Sequence, residues 1–126
     1  MASLPTIQLN SDTGSNYARH YINGNGTSAN AAGSSSQTSI AGLIYSMASQ
    51  STNKFGAFVI DILDYTNTSK YKTVRSLSGA DRNGTDGEIR FGSGLWMSTS
   101  AVNTITFTPA ANFAQYSQFA LFGIRG

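Results

Sequence analysis

The sequence predicts an all-β protein, an antiparallel β-sandwich of seven or eight short strands. Two observations carry the prediction. Short apolar or β-branched runs recur along the chain, and turn signals such as Asn23-Gly24, Asn25-Gly26 and Asn83-Gly84 separate them. Only at residues 40–48 does a short helix compete with a strand, and there Gly42 and the Ser-rich stretch before it favour the strand.

In chain order, residues 1–16 read as an extended N-terminal arm. In it, Leu4, Ile7 and Leu9 add a short strand or lie along a neighbour, and Pro5 limits ladder hydrogen bonds. Tyr17, Arg19 and Tyr21 alternate with Ala18, His20 and Ile22 as a first full strand, which opens the sandwich domain of residues 17–126. Residues 27–39, TSANAAGSSSQTS, are small and hydroxylated and read as a long flexible loop. The run FGAFVIDILDY over 55–65 reads as a central strand, with Phe58, Ile60 and Ile62 on one face and Ala57, Val59 and Leu63 on the other.

Residues 70–77 follow as its hairpin partner, and residues 81–87 turn the chain again. In the next strand, 88–97, Gly92 and Gly94 point to a bulge or a close backbone approach. Residues 101–108 alternate, with Thr104, Thr106 and Thr108 outward and Ile105 and Phe107 inward. The closing stretch, FAQYSQFALFGIRG, is apolar on both strand faces. It therefore reads as a strand buried in the core or covered by a partner chain.

Composition narrows the function. Charged residues make up 11% of the 126, well under the roughly 25% of an average soluble domain. A net charge of +2, with Lys70, Lys72 and Arg75 as the nearest thing to a basic patch, does not make a nucleic-acid face. No run approaches the roughly 20 apolar residues of a membrane span, and the N-terminus shows neither the basic nor the apolar region of a signal peptide. With no cysteine, thiolate chemistry and disulfides are excluded.

Catalytic groupings are equally sparse. His20 is the single histidine, and serines near it carry no information in so Ser-rich a chain. Asp61 and Asp64 lie three apart in a strand and point to opposite faces, so they do not make a glycosidase pair. One of them turned inward, buried and bonded to a hydroxyl or to an Arg such as Arg75, is the plainer reading. Asp81, Asp86 and Glu88 miss the spacing of a calcium loop, and Ser51–Lys54 spells S-x-x-K in a turn, without its companion motifs. No cofactor or metal site is read, and the chain is not read as an enzyme. The tyrosines and Trp96 remain, as core, subunit contact or ligand platform.

Several segments, in order, resemble small virion proteins of tailed bacteriophages: IDILDY at 60–65, KTVRSLSG at 72–79, GLW at 94–96, ITFTPA at 105–110 and FALFGIRG at 119–126. The likeness covers residues 55–126 well and the first 50 loosely. It implies a jelly-roll-like sandwich working as a homotrimer on the virion, either as capsid cement or as the tip of a tail or head fibre. The expected protein is a cement or decoration protein, assembled in the host cytoplasm and carried on the outer surface of the capsid, where it clamps the major capsid protein.

A chain that starts with Met and has no coiled coil, collagen repeat or β-helix favours cement over fibre. The alternative is a receptor-binding tip that recognises host-surface glycan. The arm, through Leu4, Pro5, Ile7 and Leu9, is expected to grip the capsid. Trp96, Phe119, Leu121 and Phe122 are expected at core or trimer contacts.

Overall fold

A computed structural model describes residues 4–45, 53–81, 83 and 87–124. They form eight strands: β1 (Thr6–Leu9), β2 (Tyr17–Gly24), β3 (Ala29–Gln37), β4 (Ile40–Ala41), β5 (Ala57–Ile62), β6 (Lys72–Asp81), β7 (Gly87–Trp96) and β8 (Ile105–Thr108). No described residue is helical. Two antiparallel sheets pack as a sandwich, one of three strands in the order β4-β1-β8, the other of five in the order β3-β2-β7-β6-β5. The pairings β1 with β8 and β2 with β7 join strands from the two ends of the sequence, while β5, β6 and β7 follow one another as a meander. The β5–β6 hairpin is the one expected, with Asp61 opposite Arg75 and Ile62 opposite Val74.

The core lies between the sheets. Ile7 and Leu9 come from β1, Tyr17 from β2, Ile40 from β4, Val74 from β6 and Trp96 from β7, with Leu43 and Ile44 from the segment after β4. The described part of the predicted arm, residues 4–16, is therefore not free. Ile7 and Leu9 are 2% and 0% exposed, Pro5 is buried and Leu4 half-buried. β1 is the middle strand of its sheet, and its alternate side chains Ile7 and Leu9 face the inter-sheet core.

The stretch read as a flexible loop, 27–39, is mostly strand β3. Its side chains bury little, but its backbone pairs along β2 from Gly24 opposite Ala29 to Tyr17 opposite Gln37. The turn before it is set by Asn25, whose Oδ1 accepts hydrogen bonds from the backbone N–H groups of Thr27 and Ser28, with Gly26 at φ 86°. Near the other end the register shifts between Tyr17 and Arg19, beside Ser36 at φ 54°.

β5 is an edge strand, not a central one. β4 is only two residues long; the chain then bends through Gly42–Ile44, and the rest of the 40–48 run lies outside the described residues. Ile105, expected inward, is 42% exposed, because β8 is itself an edge strand. The C-terminal stretch forms no strand: residues 111–124 pair with nothing and are exposed.

A polar pin joins β1, β2 and β7. The Tyr17 hydroxyl accepts from the Leu9 N–H at 3.0 Å and lies 3.2 Å from the Leu9 and Asp12 carbonyls. Its ring stacks on Trp96 at 6.5 Å, and burial pushes its phenol pKa up. Trp96 Nε1–H donates to Asp12 Oδ2 at 2.7 Å, and Asn16 Nδ2 and the Gly14 N–H donate to the same carboxylate. Led by the indole N–H, these donors hold the Asp12 carboxyl below its usual pKa.

Two predictions follow from this packing. Leu9→Ala is expected to cost about 2–5 kcal/mol, as for a fully packed core leucine. Urea denaturation checks this, and a change within about 0.5 kcal/mol, as at a surface site, would restore the free arm. A lowered folded pKa stabilises above the unfolded value and is lost as pH falls through the folded one. The wild type's advantage over Asp12→Asn is thus expected in full at neutral pH and to shrink below about pH 3.9. Denaturation midpoints of both proteins at neutral and acid pH measure the gap; a gap that does not move with pH removes this role.

Candidate functional site

The five-stranded sheet carries polarity on the wrong side. Its inner face holds Lys72, Ser76 and Ser78 on β6 and Arg90, Gly92 and Gly94 on β7, all buried. The reason is the irregular segment that crosses this face. Past Ala41, which pairs with Thr6 of β1, and the Gly42 N–H, which donates to the Pro5 carbonyl, the backbone up to residue 45 lacks strand partners, so side chains must satisfy it. Arg19 Nη1 donates to the Ala41 carbonyl, Arg90 Nη1 to that of Gly42 at 2.9 Å, and Ser76 Oγ to that of Leu43 at 2.7 Å. Ser78 Oγ accepts from the Tyr45 N–H at 2.9 Å.

The two glycines make the room. A Cβ on Gly92 would stand 2.6 Å from Leu43 Cδ2, and one on Gly94 would stand 2.8 Å from Ile40 Cδ1. Of the two readings open for these glycines, close approach is therefore the one realised.

The outer face is the apolar one. Register aligns Ile22, Phe91, Leu77 and Val59 in one row across β2, β7, β6 and β5, with Ala31 of β3 at its end. All four large side chains, and Ile89 beside them, are at least half exposed. A shallow hollow lies at the β3 end, lined by Ile22, Ala31, Gly33 and Phe91 and bordered by His20 and Ser93. The adjacent row is polar: Gly33, His20, Ser93, Arg75 and Asp61. An antiparallel sheet with one solvated face ordinarily turns its polar residues to that face. Here large apolar residues face out, which marks an interaction surface.

The second exposed apolar surface is the C-terminal segment. Phe113 and Phe119 meet edge to face at 5.0 Å, and both approach Phe107 of β8 at 5.8 Å. Phe58 of β5 completes the cluster. This fixes the base of the segment where β5 and β8 come together. Beyond it, Leu121, Phe122 and Ile124 are each more than four-fifths exposed. Between Ala111 and Ile124 the described backbone makes a single backbone–backbone hydrogen bond, from the Ser117 N–H to the Ala114 carbonyl.

The residues expected to bind therefore separate. Ile7 and Leu9 belong to the chain's own core, Pro5 is buried and Leu4 is half-buried, so these side chains are turned largely inward. Trp96 is core. Phe119 sits half-exposed in the aromatic cluster, and Leu121 and Phe122 stand in solvent. The outer row was missed by the sequence reading, although two-residue periodicity already places Ile89, Phe91 and Leu95 opposite Arg90, Gly92 and Gly94.

The other polar side chains have structural duties. Lys72 is buried, donating from Nζ to the Lys70 and Thr99 carbonyls, so it leaves the supposed basic patch. Asp61 takes two hydrogen bonds from Arg75, Asp64 pairs with Lys70, and Glu88 pairs with the buried Arg90. Asp81 caps the Asn83 N–H. The Asp61–Arg75 pair is about half exposed, not buried as its sequence position implied. Among the described residues no three His, Cys, Asp or Glu side chains gather as metal ligands.

Comparison with protein-family models, curated proteins and solved structures finds no match.

An exposed cross-strand pair such as Asp61–Arg75 is expected to contribute no more than about 1 kcal/mol, falling as salt is added. A double-mutant cycle with Asp61→Ala and Arg75→Ala reads this coupling. A larger, salt-independent value would place the polar row under a covering partner.

Proposed function

We propose that this chain is a structural protein of a tailed-bacteriophage virion, acting as a homotrimeric capsid cement. The observation that carries the reading is the pair of charge-free apolar surfaces, the outer sheet row and the C-terminal segment, that one chain leaves uncovered. Surfaces of this kind belong to chains whose burial is completed by other chains. The virion assignment rests on the sequence resemblance over residues 55–126.

The action is mechanical. Trimers lie over junctions between capsomers and hold neighbouring major capsid subunits together. Because they bind the assembled shell and not its dispersed subunits, they shift the equilibrium toward the shell by mass action. No catalytic group, cofactor or nucleic acid takes part. A fibre tip is the second reading; Tyr65, Tyr71 and Tyr116 are exposed and of the type that stacks on sugars.

Quantitative mass spectrometry of purified virions, scaled to the major capsid protein, tests the assignment. Copies on the order of hundreds are expected, as symmetric decoration of a closed shell requires. Shells lacking the protein are expected to disrupt at lower temperature and to recover when it is added back. A few tens of copies, with host binding lost on Tyr116→Ala, would replace cement by fibre tip. Absence from virions removes both.

A further inference from the structure

We propose that copies of this chain join by seating the C-terminal segment of one, Phe119–Ile124, on the outer face of the five-stranded sheet of the next, along the row Val59, Leu77, Phe91 and Ile22. The inference deepens the self-assembly element of the proposed function, on which it rests; it does not depend on the capsid.

The first argument is exposure. Phe119, Leu121, Phe122 and Ile124 on one surface, and Ile22, Val59, Leu77 and Phe91 on another, are each at least half exposed. A chain with one apolar surface to give and a second to receive has the pattern of a head-to-tail contact.

The second argument is complementarity. Residues 111–124 contain no charged side chain, and neither does the receiving row. The charges nearest the row on this face, Arg75 and Asp61, lie two residues along their strands in the polar row, where they border the contact and stay paired with each other; Asp81 lies at the far end of β6. The hollow beside Ile22 and Phe91 exists because β3 offers only Ala31 and Gly33 opposite the larger residues of β2. It is a seat for a large apolar side chain such as Phe122.

The third argument is reach. The row crosses four strands, about 14 Å at the usual strand spacing. The segment's base is fixed by the Phe113 and Phe119 ring contacts, so residues 120–124 leave the body of the chain at a defined place. Those five residues, extended, span about 17 Å, enough to cross the row. A head-to-tail contact that closes on itself gives a ring, and three copies is the ring of the proposed function.

Sedimentation velocity across a concentration series, on the purified full chain, reads the assembly. The wild type is expected as a closed oligomer. Phe91→Asp and the double variant Leu121→Asp/Phe122→Asp alter residues outside the core, and each is expected to weaken association by about thirtyfold or more, as at the centre of an interface. Because the chain has no cysteine, Leu77→Cys and Leu121→Cys can be placed on separate copies and oxidised after mixing; a disulfide between the two chains is expected.

A wild type that stays monomeric overturns the proposal. So does an oligomer untouched by either set of substitutions, which means that copies meet elsewhere and that another protein covers the face. With both cysteines on one chain at high dilution, an intramolecular disulfide would give the face to the chain's own segment instead, and overturn the proposal as well. Should a variant fail to fold, hydrogen exchange on the wild type decides: amides 119–124 are expected to be slow when associated and fast on dilution, and fast exchange at all concentrations counts against the contact. An assembled protein that ignores capsids sinks only the cement reading. A monomer that binds them sinks only this contact.

Discussion

The backbone of residues 40–45 must lie flat against the inner face of the five-stranded sheet, and much of the molecule follows from that constraint. One sheet has five strands and the other three, so part of the larger sheet has no strand above it. The segment from Ile40 to Tyr45 fills the gap: Ile40 and Ala41 pair with β1 in the smaller sheet, and residues 42–45 continue without a ladder. Its carbonyls and N–H groups therefore need side-chain partners, and Arg19, Arg90, Ser76 and Ser78 provide them. Its side chains need depth, which Gly92 and Gly94 give to Leu43 and Ile40. A sandwich interior that contains serines, arginine and glycine is thus not a poorly built core. It is the complement of an irregular layer whose backbone is paid for in hydrogen bonds.

This constraint explains which parts of the fold were legible in the sequence. Strands whose partners are ordinary could be read: β2 from its alternation, β6 as the hairpin partner of β5, and the turn at Asn25-Gly26 from residues that tolerate positive φ. β3 could not, because hydropathy patterns detect burial, and β3 is an edge strand held by backbone pairing with small, exposed side chains. β1 was read as an arm since four residues beside a proline carry little signal; its burial depends on β4 and β8, which come from distant parts of the chain.

The C-terminal segment shows the converse. Its doubly apolar pattern records that the residues avoid water, but the pattern does not contain the partner. Within one chain Phe113 and Phe119 find ring partners in Phe58 and Phe107, while Leu121, Phe122 and Ile124 stay more than four-fifths exposed. The outer face was missed for a related reason. Hydropathy would turn Phe91 and Ile89 inward and leave Arg90 outside, and the fold does the opposite.

That reversal bears on how the register is chosen at all. Shifting a strand by one residue exchanges its two faces, and in most sheets burial of the apolar face forbids the slip. Here a slip of β7 would bury more hydrocarbon, yet it would drive Phe91 into the space of Leu43 and strand the Gly42 carbonyl without Arg90. Volume and hydrogen bonding set the register against the hydrophobic gradient, helped at one end by the row Tyr17, Trp96 and Lys72, all buried. The apolar side chains left outside are then a consequence of the interior, and a lone chain would carry them as a standing liability to aggregate. A second chain seated there, as proposed, would remove that liability without altering a single interior contact, so interior fit and the proposed assembly would use opposite faces of the same strands.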